Sequence, residues 1–381
     1  MNLGQILLGA LREQRGAMLV ELAALVGHES PSRDKHALDG LADSIAGRFG
    51  TLGGQIIRHV NPAGGDHIEA RFEGADPRLA PSLVLAHFDT VWPTGTLARM
   101  PFRVEDGKAY GPGTYDMKAS LVLLEFALKT LRDLGRAPAR PVVALLTSDE
   151  EIGSASSRPL IEERARSAAH VLVLEPPLAD GRLKTGRKGV GKFVVTIRGL
   201  AAHAGVEPEK GINAIQELAH QVLLLHGLAD LERGTTVNVG VVAGGTVSNV
   251  VPAEATARVD VRVKTLDEAD RIVRAFGSLE PLVQGIRLSV DGEFDRPPME
   301  RTQRSHELFE RVREIGRTVG LELGEGSTGG ASDANFTAAI GVPTLDGLGA
   351  QGAGAHADYE HVLIDALPER AALLAAVLAS I

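Results

Sequence analysis

The stretch LVLAHFDTVWP, Leu83 to Pro93, opens as an apolar run and closes on polar chemistry. A continuous apolar run suits a strand covered on both faces. His87 and Asp89 follow where it ends, two residues apart and so on one side of an extended chain. Trp92, the chain's only tryptophan, comes directly after. Ligand sites of α/β sheets lie outside the carboxyl ends of the strands, so this stretch reads as a central strand delivering side chains to a crevice.

The same design recurs downstream. LLTSDEEIG ends a strand-like run with Glu150 and Glu151, and VLVLEPP ends another with Glu175. Asp116 lies in GPGTYDMKAS, where a loop turns into a helix, and His356 lies in GAGAHADYEH beyond the strand-like VPTLDGLG. Helical periodicity over about 11–25 and 34–49, and a long helix closed by Gly135 ahead of Pro138, alternate with these strands. Near Arg187 the texture changes to half-exposed strands, GKFVVTIRG, TTVNVGVVAGG, ATARVDVRVKT and GIRLSVDGEF, with helices at about 212–228 and 266–276. After DRPPME the first texture returns. The expected fold is an α/β catalytic domain, a mixed central sheet flanked by helices, over 1–187 and 298–381. An inserted α+β domain of ferredoxin-like order over 188–297 interrupts it.

With 381 residues, 44% hydrophobic and 23% charged, the chain has ample length for a core. A net charge of −9 and a pI near 5.8 argue against nucleic-acid binding. The absence of cysteine excludes disulfides, thiolate zinc sites and a cysteine nucleophile. The N-terminal MNLGQILLGALREQRG suits an amphipathic helix running on into MLVELAALVG better than a signal peptide. No apolar run approaches the roughly 18–20 residues of a membrane span, so the expectation is a cytoplasmic protein without membrane contact.

Taken singly, each acidic residue or histidine is explained as well by a helix cap or a solvated loop. Together, two imidazoles and three carboxylates beyond strand ends, with no thiolate, form a donor set for zinc, cobalt or manganese. Two divalent ions against Asp116, Glu151 and Glu175 leave one positive charge, which a hydroxide neutralises. Without metal the crowded carboxylates would raise one another's pKa.

These motifs, in this order, resemble the zinc-dependent family of aminoacylase, acetylornithine deacetylase, succinyl-diaminopimelate desuccinylase and glutamate carboxypeptidase. AHFDTVWPTGTLARMPFRVEDGKAYGPGTYDMK is most similar to the last. The resemblance implies His87 and Glu175 on one zinc, Glu151 and His356 on the other, and Asp116 bridging, followed by a cis peptide. It implies Glu150 as general base and Asp89 as the acid orienting His87. His203, in GLAAHAGVEPEK, stabilises the oxyanion in such enzymes, often from a partner subunit; from its position alone it reads as a neighbour of a helix start. Asn249 and Arg262 are expected to bind the substrate's carboxylate. Gly329 and Gly330 would let backbone approach it, although a plain loop explains them almost as well. Arg182, Lys184, Arg187 and Lys188 read equally as an attractor of acidic groups or a solvated basic turn.

The expected activity is metal-dependent hydrolysis of an amide beside a free carboxylate, releasing C-terminal glutamate from a small N-acyl or short-peptide substrate. The alternatives are an N-acyl amino acid deacylase of acetylornithine type and a silent metal-binding scaffold. A two-metal phosphoesterase lacks a basic phosphate clamp near the ligands. The resemblance also implies a homodimer through the inserted domain, which doubles as a lid.

Overall fold

The computed structural model describes residues 2–381. The run ending at His87 is a strand, Ser82–His87, buried at every position. It lies between the parallel strands Val142–Thr147 and His170–Val173. His67–Phe72 and Gln55–His59 extend the sheet in antiparallel fashion on one side, and Thr344–Leu345 extends it in parallel on the other. The sheet is therefore mixed. Its parallel centre explains the unbroken Val/Leu/Ala runs, since both faces are covered.

The covering helices follow from their sequences. Ala119–Asp133 buries Leu121, Val122, Leu124 and Leu128, and Gly135 beyond it takes a left-handed φ of 64° that suits glycine. Ala366–Leu378, rich in Ala and Leu, is buried on every side. Its one charge of consequence, Arg370, is fully buried and donates to the carbonyls of Gly349 and Gly347 at 2.8 and 2.5 Å. The expected single N-terminal helix is two, Leu3–Glu13 and Arg15–Gly27. They part at Gln14, whose side-chain amide donates to the Ala10 carbonyl and to Thr130 Oγ1.

The chain forms two compact units. One runs to Thr185 and includes Arg301–Thr328 and Ser332–Ile381; the other comprises Gly186–Glu300 and Gly329–Ala331. In the second, four antiparallel strands lie in the order Thr236–Gly244, Glu254–Val263, Gly189–Arg198, Arg287–Arg296. Alternate residues of Glu254–Val263 are buried, and Val195, Ala257 and Val259 share a core with Leu218 and Leu225 of helix Ala214–His226 and Ile272 and Phe276 of helix Leu266–Gly277. Among the described residues no helix is long and apolar enough to cross a membrane.

One buried pair in the central sheet makes stability depend on pH. His170 Nε2 lies 2.9 Å from Ser82 Oγ, and burial, helped by Arg140 and Arg311, pushes the imidazole down from 6.5 to about 4. The folded state thus disfavours the proton that the unfolded chain accepts. Stability present above pH 6.5 is expected to fall as pH drops toward 4, by about 3 kcal/mol at most. Urea unfolding of wild type and His170→Gln across that window checks it; equal slopes would refute the assignment.

Candidate active site

His87, the last residue of its strand, is 2% exposed. Its Nδ1 lies 3.1 Å from the carbonyl oxygen of Asp89 and 3.4 Å from the Asp89 carboxylate. Nδ1–H therefore donates to Asp89, and Nε2 is left facing Asp116 Oδ1 at 3.1 Å and Glu175 Oε1 at 3.6 Å. The Asp89 carboxylate, fully buried, also accepts the backbone N–H groups of Glu150 and Glu151, each at 3.2 Å. One side chain thus orients the ring and holds the turn that carries both glutamates.

Asp116 lies in an irregular turn, and its peptide bond to Met117 is cis. Its second oxygen, Oδ2, is 3.4 Å from His356 Nε2, which in turn stands 3.1 and 3.2 Å from the two oxygens of Glu151. Asp116 therefore addresses a different imidazole with each oxygen. Met117 is 1% exposed, and its sulfur accepts the backbone N–H of His87 at 3.3 Å. It fills the floor beneath the strand end.

Two donor groups result, His87 with Glu150 and Glu175, and His87 with Asp116 and Glu151, each with ligand atoms within 4.8 Å of one another. The imidazoles and carboxylates of the cluster shift one another's titration. Hydrogen bonds to Asp116 and then Glu151 push His356 up to about 10. Burial opposes charge on His87, but Asp116, Asp89 and Glu175 together hold it well above its ordinary value. Burial would raise Asp116, yet His356 and His87 keep it well below the usual carboxylate range. Burial lifts Glu151 to about 6. A donor set of imidazoles and carboxylates that gathers protons in this way fits a borderline divalent cation.

His203, Asn249, Arg262, Gly329 and Gly330 belong to the second unit. His203 is exposed and its Nδ1 accepts the Gly205 N–H at 3.1 Å, which leaves Nε2–H as a donor. It does not cap the neighbouring helix; Asn213 does. His203 and Asn249 are brought together by backbone pairing, His203 with Val250 and the Ala204 N–H with the Asn249 carbonyl. Arg262 is not near them. It lies eight residues along the strand that begins at Glu254, about 26 Å at 3.3 Å per residue. There its guanidinium holds Asp260 at 2.8 and 3.0 Å. Gly329 and Gly330 are exposed, and the Gly330 carbonyl accepts from Arg187 at 3.1 Å. Of the basic run 182–188, Arg182 pairs with Asp180, while Lys184 and Arg187 are buried, not part of a solvated turn.

Two acidic residues beside the cluster escaped the sequence reading. Asp149 accepts from the Ser156 and Ser157 hydroxyls, both at 2.6 Å. Asp333 accepts from Ser154 Oγ at 2.5 Å and lines a small cavity with His87, Met117, Glu150 and Glu175. Their signal was present, an Asp next to Glu150 and an Asp inside GGASDANF, but local sequence does not reveal partners.

A mixed sheet with imidazoles and carboxylates gathered past its central strands defines the class of metal-dependent hydrolases. The family model described as peptidase family M20/M25/M40 matches residues 83–380, and the chain belongs to that family. It is 33% identical over 379 residues to carboxypeptidase G2 of Pseudomonas sp. (strain RS-16), covering 96% of this chain and 89% of that protein. It is 29% identical over 360 residues to succinyl-diaminopimelate desuccinylase of Dechloromonas aromatica (strain RCB), covering 88% and 91%. Its fold matches the crystal structure of aminopeptidase PepT from Bacillus cereus ATCC 10987, with TM-score 0.82, 22% identity and 96% and 98% coverage. The chain is thus an enzyme, a hydrolase of the metallopeptidase class.

Proposed function

We propose that the chain is a dizinc carboxypeptidase or amidohydrolase that cleaves an amide next to a free carboxylate, with C-terminal glutamate as the favoured leaving residue. The observation that carries this is Asp116 with one oxygen toward each imidazole, flanked by Glu175 on the His87 side and Glu151 on the His356 side. His87 with Glu175, and His356 with Glu151, would each hold one ion, and Asp116 would join them. Zinc is the favoured pair, with cobalt and manganese accepted by the same donors; bound there, the ions supply Lewis acidity toward a scissile carbonyl and an attacking water. Glu150 takes the proton from that water and hands it to the departing amine. His203 donates Nε2–H to the oxyanion, and Asp89 keeps the His87 tautomer. Asn249 and Arg262 hold the substrate's carboxylate, with Gly329 and Gly330 admitting its backbone. The likeness to carboxypeptidase G2 favours cleavage next to a C-terminal carboxylate.

The test is hydrolysis of an aroyl-glutamate, a dipeptide ending in Glu, N-acetylornithine and N-acetylmethionine, each with chelator or with added zinc. Zinc-dependent release of glutamate supports the proposal. Activity confined to the acetylated amino acids moves the enzyme to a second reading, an N-acyl amino acid deacylase, which the likeness to a desuccinylase favours. Two bound metals with no turnover on any substrate would point to a scaffold.

The separation of His203 and Asn249 from Arg262 within one unit supports a homodimer in which the inserted domain lends the first pair to a partner's site. The edge strand Thr236–Gly244 exposes Val241 and Val242 at 55% and 58%, and helix Ala214–His226 exposes Leu223 at 74%. An open apolar edge of this kind invites pairing with a second copy about a two-fold axis. Light scattering is expected to give twice the chain mass for wild type and a single mass for Val242→Glu. A monomeric, fully active wild type would refute the dimer.

A further inference from the structure

Glu360 is fully buried, and its carboxylate collects four donors from two distant parts of the chain. Oε2 accepts the Trp92 indole N–H at 2.8 Å and the Gly113 backbone N–H at 2.9 Å. Oε1 accepts the backbone N–H groups of Tyr115 and Asp116 at 2.9 and 3.0 Å. Its own carbonyl accepts from Gly111 N–H at 3.3 Å. Gly113 sits at a left-handed φ of 71°, so the N–H groups of this turn converge as a nest around an anion.

Each segment gathered here carries a member of the active-site cluster. Trp92 ends the loop that starts at His87, the nest is the turn of Asp116, and Glu360 closes the loop of His356. We infer that Glu360 is a positioning residue, which sets the Asp116 turn against the loops of His87 and His356 so that both Asp116 oxygens meet their imidazoles. This rests on the metal reading above. It also explains the lone tryptophan after the catalytic strand: Trp92 is the side-chain donor that ties that loop to the carboxylate. These four N–H donors satisfy both oxygens of the buried carboxylate.

Glu360→Gln keeps the shape but turns an amide NH2 toward N–H donors, which breaks one half of the nest. Zinc affinity, measured by competition with a chromophoric chelator on the metal-stripped full chain, is expected to weaken by about 10–100-fold. The melting temperature of the metal-free protein should fall as well, because buried N–H donors lose their acceptor, so the loss of zinc affinity is the readout specific to positioning. Trp92→Phe removes one donor and leaves the carboxylate, and should weaken zinc by less than about tenfold on the same reasoning. Wild-type zinc affinity in Glu360→Gln, or a fall in melting temperature with affinity preserved, overturns the inference. If Glu360→Gln does not fold, Trp92→Phe decides, and wild-type affinity there overturns it too. A wild-type chain that takes up no zinc is a different result: it sinks the metal reading before any variant is compared.

Discussion

Replacing Glu150 by Gln is expected to lower kcat by about 10²–10⁴-fold, the range set by losing a general base, while both metals stay bound. The amide keeps the size and one acceptor but cannot take a proton from water. The turn should survive the change, because its two N–H groups are held by Asp89 and not by the Glu150 side chain. The measurement also resolves an ambiguity in the geometry. The Glu150 carboxylate lies within ligand reach of His87 and Glu175, so it is placed to act as a ligand as well as a base. Metal analysis of the purified variant separates the two. Two ions per chain with kcat collapsed supports the base; one ion lost would make Glu150 a ligand and leave the proton transfer to another group.

Asp116→Ala should have a comparable effect by another route. Both imidazoles lose their shared anion at once, since Oδ1 serves His87 and Oδ2 serves His356. Metal content should fall below two per chain, and activity should drop to that of chelator-treated wild type. With several kcal/mol of metal stabilisation removed, the loss is on the order of 10³-fold or more. Unlike the chelated wild type, the variant should not recover when zinc is restored. Full recovery would show that His87, Glu151, Glu175 and His356 hold the ions without a bridge, and the bridging role would be lost.

Much of the site was legible because strand and chemistry are adjacent in the chain. A strand that must be covered on both faces announces itself by its apolar run, and the first polar residue past its end is a candidate for the crevice. His87, Glu150, Glu151 and Glu175 were found in this way. Asp116 and His356 lie on loops, a weaker local signal; they entered the set as a loop-to-helix acid and a histidine beyond a strand, and resemblance supplied their roles. The small antiparallel sheet of Arg103–Glu105, Lys108–Tyr110, His361–Leu363 and Gly352–Ala353 had no clear signature at all. Strands of two or three residues are too short to show a period, yet the pairing of Tyr110 with His361 helps bring the His356 loop beside Asp116.

The sequence by itself determined the class of the fold, the burial of the strand at Leu83 and the kinds of atom available to a cation. Only the tertiary structure decided how these atoms face one another. It turned the two oxygens of Asp116 toward different rings and gave the Asp89 carboxylate to the glutamate turn as well as to His87. It also joined Trp92 to Glu360 across 268 residues. The physical reason lies in the range of the forces. Hydrophobic period and strand ends are local properties, readable one residue after another. A buried carboxylate takes whatever donors the folded backbone brings to it, and no local pattern records which those are.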